Sequence, residues 1–117
     1  MSQVDQIALH PTKTLVKEGS AFPLTVYLRL RSTGAAATPT TIHWRLDCLS
    51  TGNEIADDTS VSAASSFTIA VTGAHNAIQS DGNEFETKQL TITTDVGLAT
   101  QYREAVTWRV QNLYGSP

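Results

Sequence analysis

The sequence predicts an all-β chain of seven or eight short antiparallel strands, layered as two sheets. Three observations carry that reading. In four separate stretches apolar residues take every second position, the period of a strand with one dry face and one wet face. Turn-forming clusters of Gly, Pro, Ser, Asn and Asp recur about every ten residues. No segment sustains a helical repeat of apolar residues.

The elements follow in order. Residues 7–9 predict a first short strand, broken at His10 and Pro11, with Leu15 and Val16 continuing it after a kink. Residues 1–16 read either as that first edge strand or as an arm reaching a neighbouring subunit. The clearest strand spans 22–31, where Phe22, Leu24, Val26, Leu28 and Leu30 point inward and Tyr27, Arg29 and Arg31 outward. Residues 32–39 are a weakly patterned loop. A strand over 41–49 turns Ile42, Trp44, Leu46 and Cys48 inward, and Ser50, Thr51, Gly52 and Asn53 then turn the chain into a returning strand at 54–57. Residues 61–65 are ambiguous, with a short edge strand as one reading. Residues 66–72 form a strand with Phe67, Ile69 and Val71 inside. A longer crossing occupies 73–83, in which Ala74, Ala77 and Ile78 would support one helical turn. The strand at 85–95 buries Leu90 and Ile92, and the last, at 102–113, buries Val106, Trp108 and Val110.

At 117 residues the chain has the size of one domain, residues 1–117, large enough to bury one shared core. This strand count and spacing are those of a β-sandwich, and Trp44 lies where an immunoglobulin-like sandwich places its core tryptophan. Charged residues make up only 16%, and Thr and Ser take their place, which favours pleated, half-wet surfaces.

Net charge is −3 and basic residues stand singly along strands, so no phosphate-neutralising patch exists and no nucleic-acid partner is expected. Cys48 is the sole cysteine, in phase with the inward residues of its strand. It reads as a buried, inert thiol and leaves no internal disulfide. The opening Met1, Ser2, Gln3, Val4, Asp5 has no secretory pattern, and no apolar run is long enough to span a bilayer, so synthesis in a reducing cytoplasm is expected and no membrane partner.

Candidate chemistry is sparse. His10, His43 and His75 do not fall at metal-ligand spacing, and no nucleophile-elbow motif supports a Ser-His-Asp triad. Catalytic, cofactor-binding and metal residues are therefore expected to be none. Two acidic spots, Asp57 with Asp58 and Asp81 with Asn83, Glu84 and Glu86, are the places where loop oxygens could gather around calcium, although neither matches an EF-hand loop and both suit ordinary turns. Tyr27 and Tyr114 are the aromatic candidates for a sugar platform, but they stand apart in sequence. Unpaired sheet edges are the remaining asset, since a partner strand can add to them.

From Thr41 to Gly115, roughly two-thirds of the chain, the sequence resembles small accessory proteins of tailed bacteriophage virions. The resemblance is carried by Trp44, Arg45, Leu46 and Asp47, by Leu49, Ser50, Thr51 and Gly52, and by Ile55, Ala56 and Asp57. It continues in Ser65 and Ser66, in Asn76, Ala77, Ile78 and Gln79, and in Leu90, Thr91 and Ile92. Leu98, Ala99, Thr100, Gln101 and Tyr102, with Asn112, Leu113, Tyr114 and Gly115, complete it. The resemblance implies an immunoglobulin-like, non-enzymatic structural protein. Made in the host cytoplasm and carried in the virion, it would sit on the capsid as a decoration or cement protein, or in the neck, tail or fibre. Its implied partners are other virion proteins and further copies of itself, with carbohydrate on a cell surface as the rival.

Overall fold

The computed structural model describes residues 4–10, 13–80 and 82–113. Pro11, Asp81, Tyr114 and the first three residues, on which parts of the sequence reading fall, lie outside them. Eight strands make up the fold: β1 (Gln6–His10), β2 (Leu15–Lys17), β3 (Phe22–Arg29), β4 (Ile42–Cys48), β5 (Asn53–Val61), β6 (Ser66–Val71), β7 (Phe85–Thr94) and β8 (Tyr102–Gln111). No helix occurs among the described residues, so none is long and apolar enough to cross a membrane.

The strands form two sheets, one of three in the order β1-β3-β6 and one of five in the order β2-β8-β7-β4-β5. Both sheets contribute to one core. Leu24, Val26, Leu28, Ile69 and Val71 from the first meet Ile42, Leu46, Leu90, Ile92, Trp108 and Val110 from the second. The ring of Phe22 meets the indole of Trp108 edge-on, with centroids 5.4 Å apart. The alternation that named β3 is its burial pattern: Phe22, Leu24, Val26 and Leu28 are buried, while Pro23, Tyr27 and Arg29 are exposed. Pro23 causes no break: it pairs with Ala70 of β6, and among the described residues β1 reaches only as far as Thr25 of β3, so no donor is needed from Pro23 on that side.

Two features differ from the sequence reading. Not all pairings are antiparallel: β2 runs parallel to β8. β1 and β2 follow one another in the chain, yet β1 pairs with β3 and β2 with β8, so the chain changes sheet between them. The second difference is in the core. The central indole is Trp108, 3% exposed. Trp44, placed by its phase at the centre, is half-buried and meets the ring of His75 edge-on at 6.3 Å. Leu30, Phe67 and Val106 are likewise half-buried and pack on the margin of the core. Period two assigns a face; it does not say how far a residue lies from the sheet's rim.

β5 runs past the expected end at Asp57 to Val61, with register shifts against β4 on either side of Leu46, and residues 62–65, part of the ambiguous stretch, form no strand of their own. Gly52 closes the β4–β5 turn at φ 76°, a conformation that glycine adopts without strain. Between β6 and β7 the chain makes turns, not a full helix, with Asn76 N–H donating to the carbonyls of Thr72 and Gly73. Here Gly73 lies so close to the turn before β3 that a Cβ would sit 2.6 Å from the carbonyl oxygen of Gly19. Gly73→Ala is therefore expected to lower stability by about 1–3 kcal/mol, measured by urea titration.

Candidate functional site

A broad depression lies on the outer face of the five-stranded sheet. Outward positions of three neighbouring strands line up there in rows: His43, Thr93 and Arg103, then Arg45, Thr91 and Ala105, then Asp47, Gln89 and Thr107. All of these but Thr107, with Asp58 and Val96 at the margins, line the depression, of about 540 Å³. Thr and Ala keep its floor low, and longer side chains stand around it.

Those longer side chains are fixed by charge. Arg45 holds Asp47 through both Nε (3.0 Å) and Nη2 (2.8 Å), and its Nη2 also donates to Glu54 Oε2 at 3.0 Å. The hydrogen bond and charge of Asp47 hold the Arg45 guanidinium above its ordinary pKa range. His43 Nδ1 and Asp58 Oδ2 are 2.8 Å apart. Arg103 Nε donates to Thr93 Oγ1 at 3.2 Å, and no carboxylate pairs with it among the described residues. The His43–Asp58 pair is two members of an acid–base triad, but no hydroxyl is hydrogen-bonded to the far nitrogen of His43 among the described residues. Asp58 orients the His43 imidazole.

The buried polar groups do different work. Glu86 and Lys88 share the inward face of β7 with Leu90 and Ile92, and both are fully buried. Glu86 accepts from the backbone N–H of Gln79 (2.8 Å) and Ser80 (2.9 Å), from Asn83 Nδ2 (3.0 Å) and from Lys88 Nζ (3.1 Å). The Cys48 thiol donates to it at 3.6 Å, and Lys88 also donates to the Ala77 carbonyl at 2.8 Å. Burial alone would push the Glu86 carboxyl up; the donors outweigh it and bring it down to about 2. The acidic spot proposed for calcium is thus partly an internal clamp: Glu86 holds the β6–β7 crossing against the core. Among the described residues no group of three or more His, Cys, Asp or Glu is placed to hold a metal ion.

Asn76, unnoticed in the sequence reading except as part of the resemblance, is a second clamp. It is fully buried, accepts from Trp108 Nε1 at 2.8 Å and donates through Nδ2 to the Ser20 carbonyl at 2.8 Å. Asp95, at φ 52°, is a third. It accepts from Thr40 N–H (2.7 Å) and Thr100 Oγ1 (2.7 Å), tying the loop before β4 to the β7–β8 hairpin. No buried side-chain polar atom lacks a partner among the described residues.

The other sequence candidates are dispersed. His10 is exposed at the end of β1. His75 accepts from Thr72 N–H at 3.0 Å through Nδ1, and burial lowers its pKa, both of which favour the neutral ring. Tyr27 stands on the outer face of the three-stranded sheet beneath the Arg29 guanidinium, on the side of the molecule away from the depression.

No family model and no curated protein matches the chain. Solved structures do resemble it. The crystal structure of the periplasmic chaperone SfaE superposes with a TM-score of 0.59 at 12% identity, over 95% of this chain and 59% of that one. Domains 4 and 5 of the S-layer protein SbsC give 0.48 at 14% identity, over 97% of this chain and 54% of theirs. A PapD-like (ASH) domain of human CEP192 gives 0.49 at 7%, over 94% of this chain and 87% of that one. The chain spans little more than half of the SfaE chain, and the likeness to it is one of fold.

Proposed function

We propose that this chain is a non-enzymatic structural protein of a tailed-bacteriophage virion, built as an immunoglobulin-like β-sandwich and attached to the capsid as a decoration protein. The observation that carries the reading is where the polar chemistry sits. Glu86, Lys88, Asn76 and Asp95 are consumed in holding loops to the core. What faces solvent is a sheet face of small hydroxyl residues ringed by ion pairs, with Arg103 held by the Thr93 hydroxyl, an arrangement suited to recognition. The phage assignment itself rests on the sequence resemblance from Thr41 to Gly115, and the SfaE likeness supports the sandwich only. Cross-linking of purified particles of the encoding phage, read by mass spectrometry, tests it. Links to the major capsid protein are expected; links to neck or tail proteins would move it along the particle, and absence from intact particles would overturn the reading.

The depression favours a second reading, a module that binds carbohydrate on a cell surface. Planar polar side chains (Arg103 with donors only, Gln89 with a donor and an acceptor, and His43) surround small hydroxyl residues, and charges within the lining are largely balanced. A glycan array read with wild type and Arg103→Ala would separate the readings. Signal lost in the variant supports a sugar site, and no signal at high protein concentration removes it.

A further inference from the structure

Strand β8 is ten residues long, but β2 covers only Arg109, Val110 and Gln111. From Tyr102 to Trp108 it is bonded to β7 alone among the described residues. Parity fixes which backbone groups are open. Arg109 N–H donates to the Thr14 carbonyl, and the Gln111 carbonyl accepts from Glu18 N–H, so odd-numbered residues of β8 point away from β7. Among the described residues, Arg103, Ala105 and Thr107 therefore present N–H and C=O groups without a strand partner along a regular edge. The opposite edge of the same sheet, β5, is broken by register shifts, a common protection against pairing.

We propose that this edge of β8 pairs antiparallel with the same edge of a second copy, about a twofold axis through Ala105. The residues are self-complementary in that register alone. Arg103 then faces Thr107, Glu104 faces Val106, and the small Ala105 side chains meet at the axis. An axis at residue 104 sets Glu104 against Glu104, and one at residue 103 sets Arg103 against Arg103. An axis at 106 sets Arg103 against Arg109, whose edge β2 already occupies. The chosen register also brings the β7–β8 hairpin tip of one copy alongside the start of β2 in the other. Leu98 and Leu15, 45% and 51% exposed, lie at those two places and would cover each other. The two five-stranded sheets become one continuous sheet, and the interface is isologous. This dimer is independent of the virion reading.

Sedimentation velocity of the full chain at rising concentration is expected to show a species of twice the monomer mass. Ala105→Pro leaves the bonds to β7 intact, because the N–H it removes faces outward, and is expected to weaken the dimer at least ~10-fold. Register is read by cysteine pairs under mild oxidation, with native Cys48 buried as background. Ala105→Cys faces its own copy at a Cα separation of about 5.5 Å, within disulfide reach, and is expected to cross-link. Thr107→Cys is offset from its copy by four residues, about 13 Å, and is not. A chain that stays monomeric, a dimer unchanged in Ala105→Pro, or equal cross-linking at both positions would overturn the proposal. Where Ala105→Pro does not fold, the cysteine pair decides.

Discussion

Glu86→Ala is expected to destabilise the fold by about 3–5 kcal/mol. The variant would leave Lys88 fully buried with, among the described residues, only the Ala77 carbonyl as partner, and would orphan the N–H groups of Gln79 and Ser80. The cost is that of breaking a pair, not of losing its net contribution. Glu86→Ala with Lys88→Met removes both charges and is expected to recover a large part of the loss. A urea titration of the three proteins measures this directly.

The same carboxylate sets an acid dependence. Its pKa is lowered on folding from an ordinary 4.5 to about 2, because its donors outweigh burial. The folded state therefore binds fewer protons than the unfolded state between those values. Its contribution, about 3 kcal/mol, is complete above the unfolded pKa and declines as pH falls from there towards the folded one. Wild-type urea midpoints should drop over that window, and Glu86→Ala should show a shallower slope.

Trp108→Ala is the second large effect, at about 3–5 kcal/mol. It opens a cavity beside Phe22 and takes the donor from the buried Asn76 Oδ1. Trp44→Ala removes a side chain of equal size from the margin of the core and is expected to cost only about 1–2 kcal/mol. Equal losses in a denaturant titration would contradict the placement of the two indoles.

That contrast shows what the sequence holds and what it lacks. Both tryptophans alternate in phase with aliphatic neighbours, so each is legible as inward-facing. Centrality is set by which loops cover the strand, and those contacts are remote in sequence: Asn76 reaches Trp108, and His75 reaches Trp44. β7 makes the point differently. Glu86 and Lys88 have the parity of Leu90 and Ile92, so their burial was written in the period. Their charge masked it, since a charged side chain is buried only when partners wait for it, and those partners lie in the crossing before the strand. β1 and β2 were legible as short strands separated by a break, but nothing local specifies that the second joins the other sheet. The depression is similar. Its residues are the outward members of β4, β7 and β8, readable one strand at a time. The rows they form need the register, and Asp58, the partner of His43, lies within the irregular stretch of β5 between Ala56 and Thr59.

The central claim is that the polar interior holds the structure together and leaves the outside to recognition. It is tested most directly by a carbon-13 nuclear magnetic resonance titration of the Glu86 carboxyl in the native protein. The account predicts a carboxylate that stays ionised down to a pH of about 2. A midpoint at or above 4.5 would contradict it, because it would mean that the crossing loop and Lys88 do not hold this side chain.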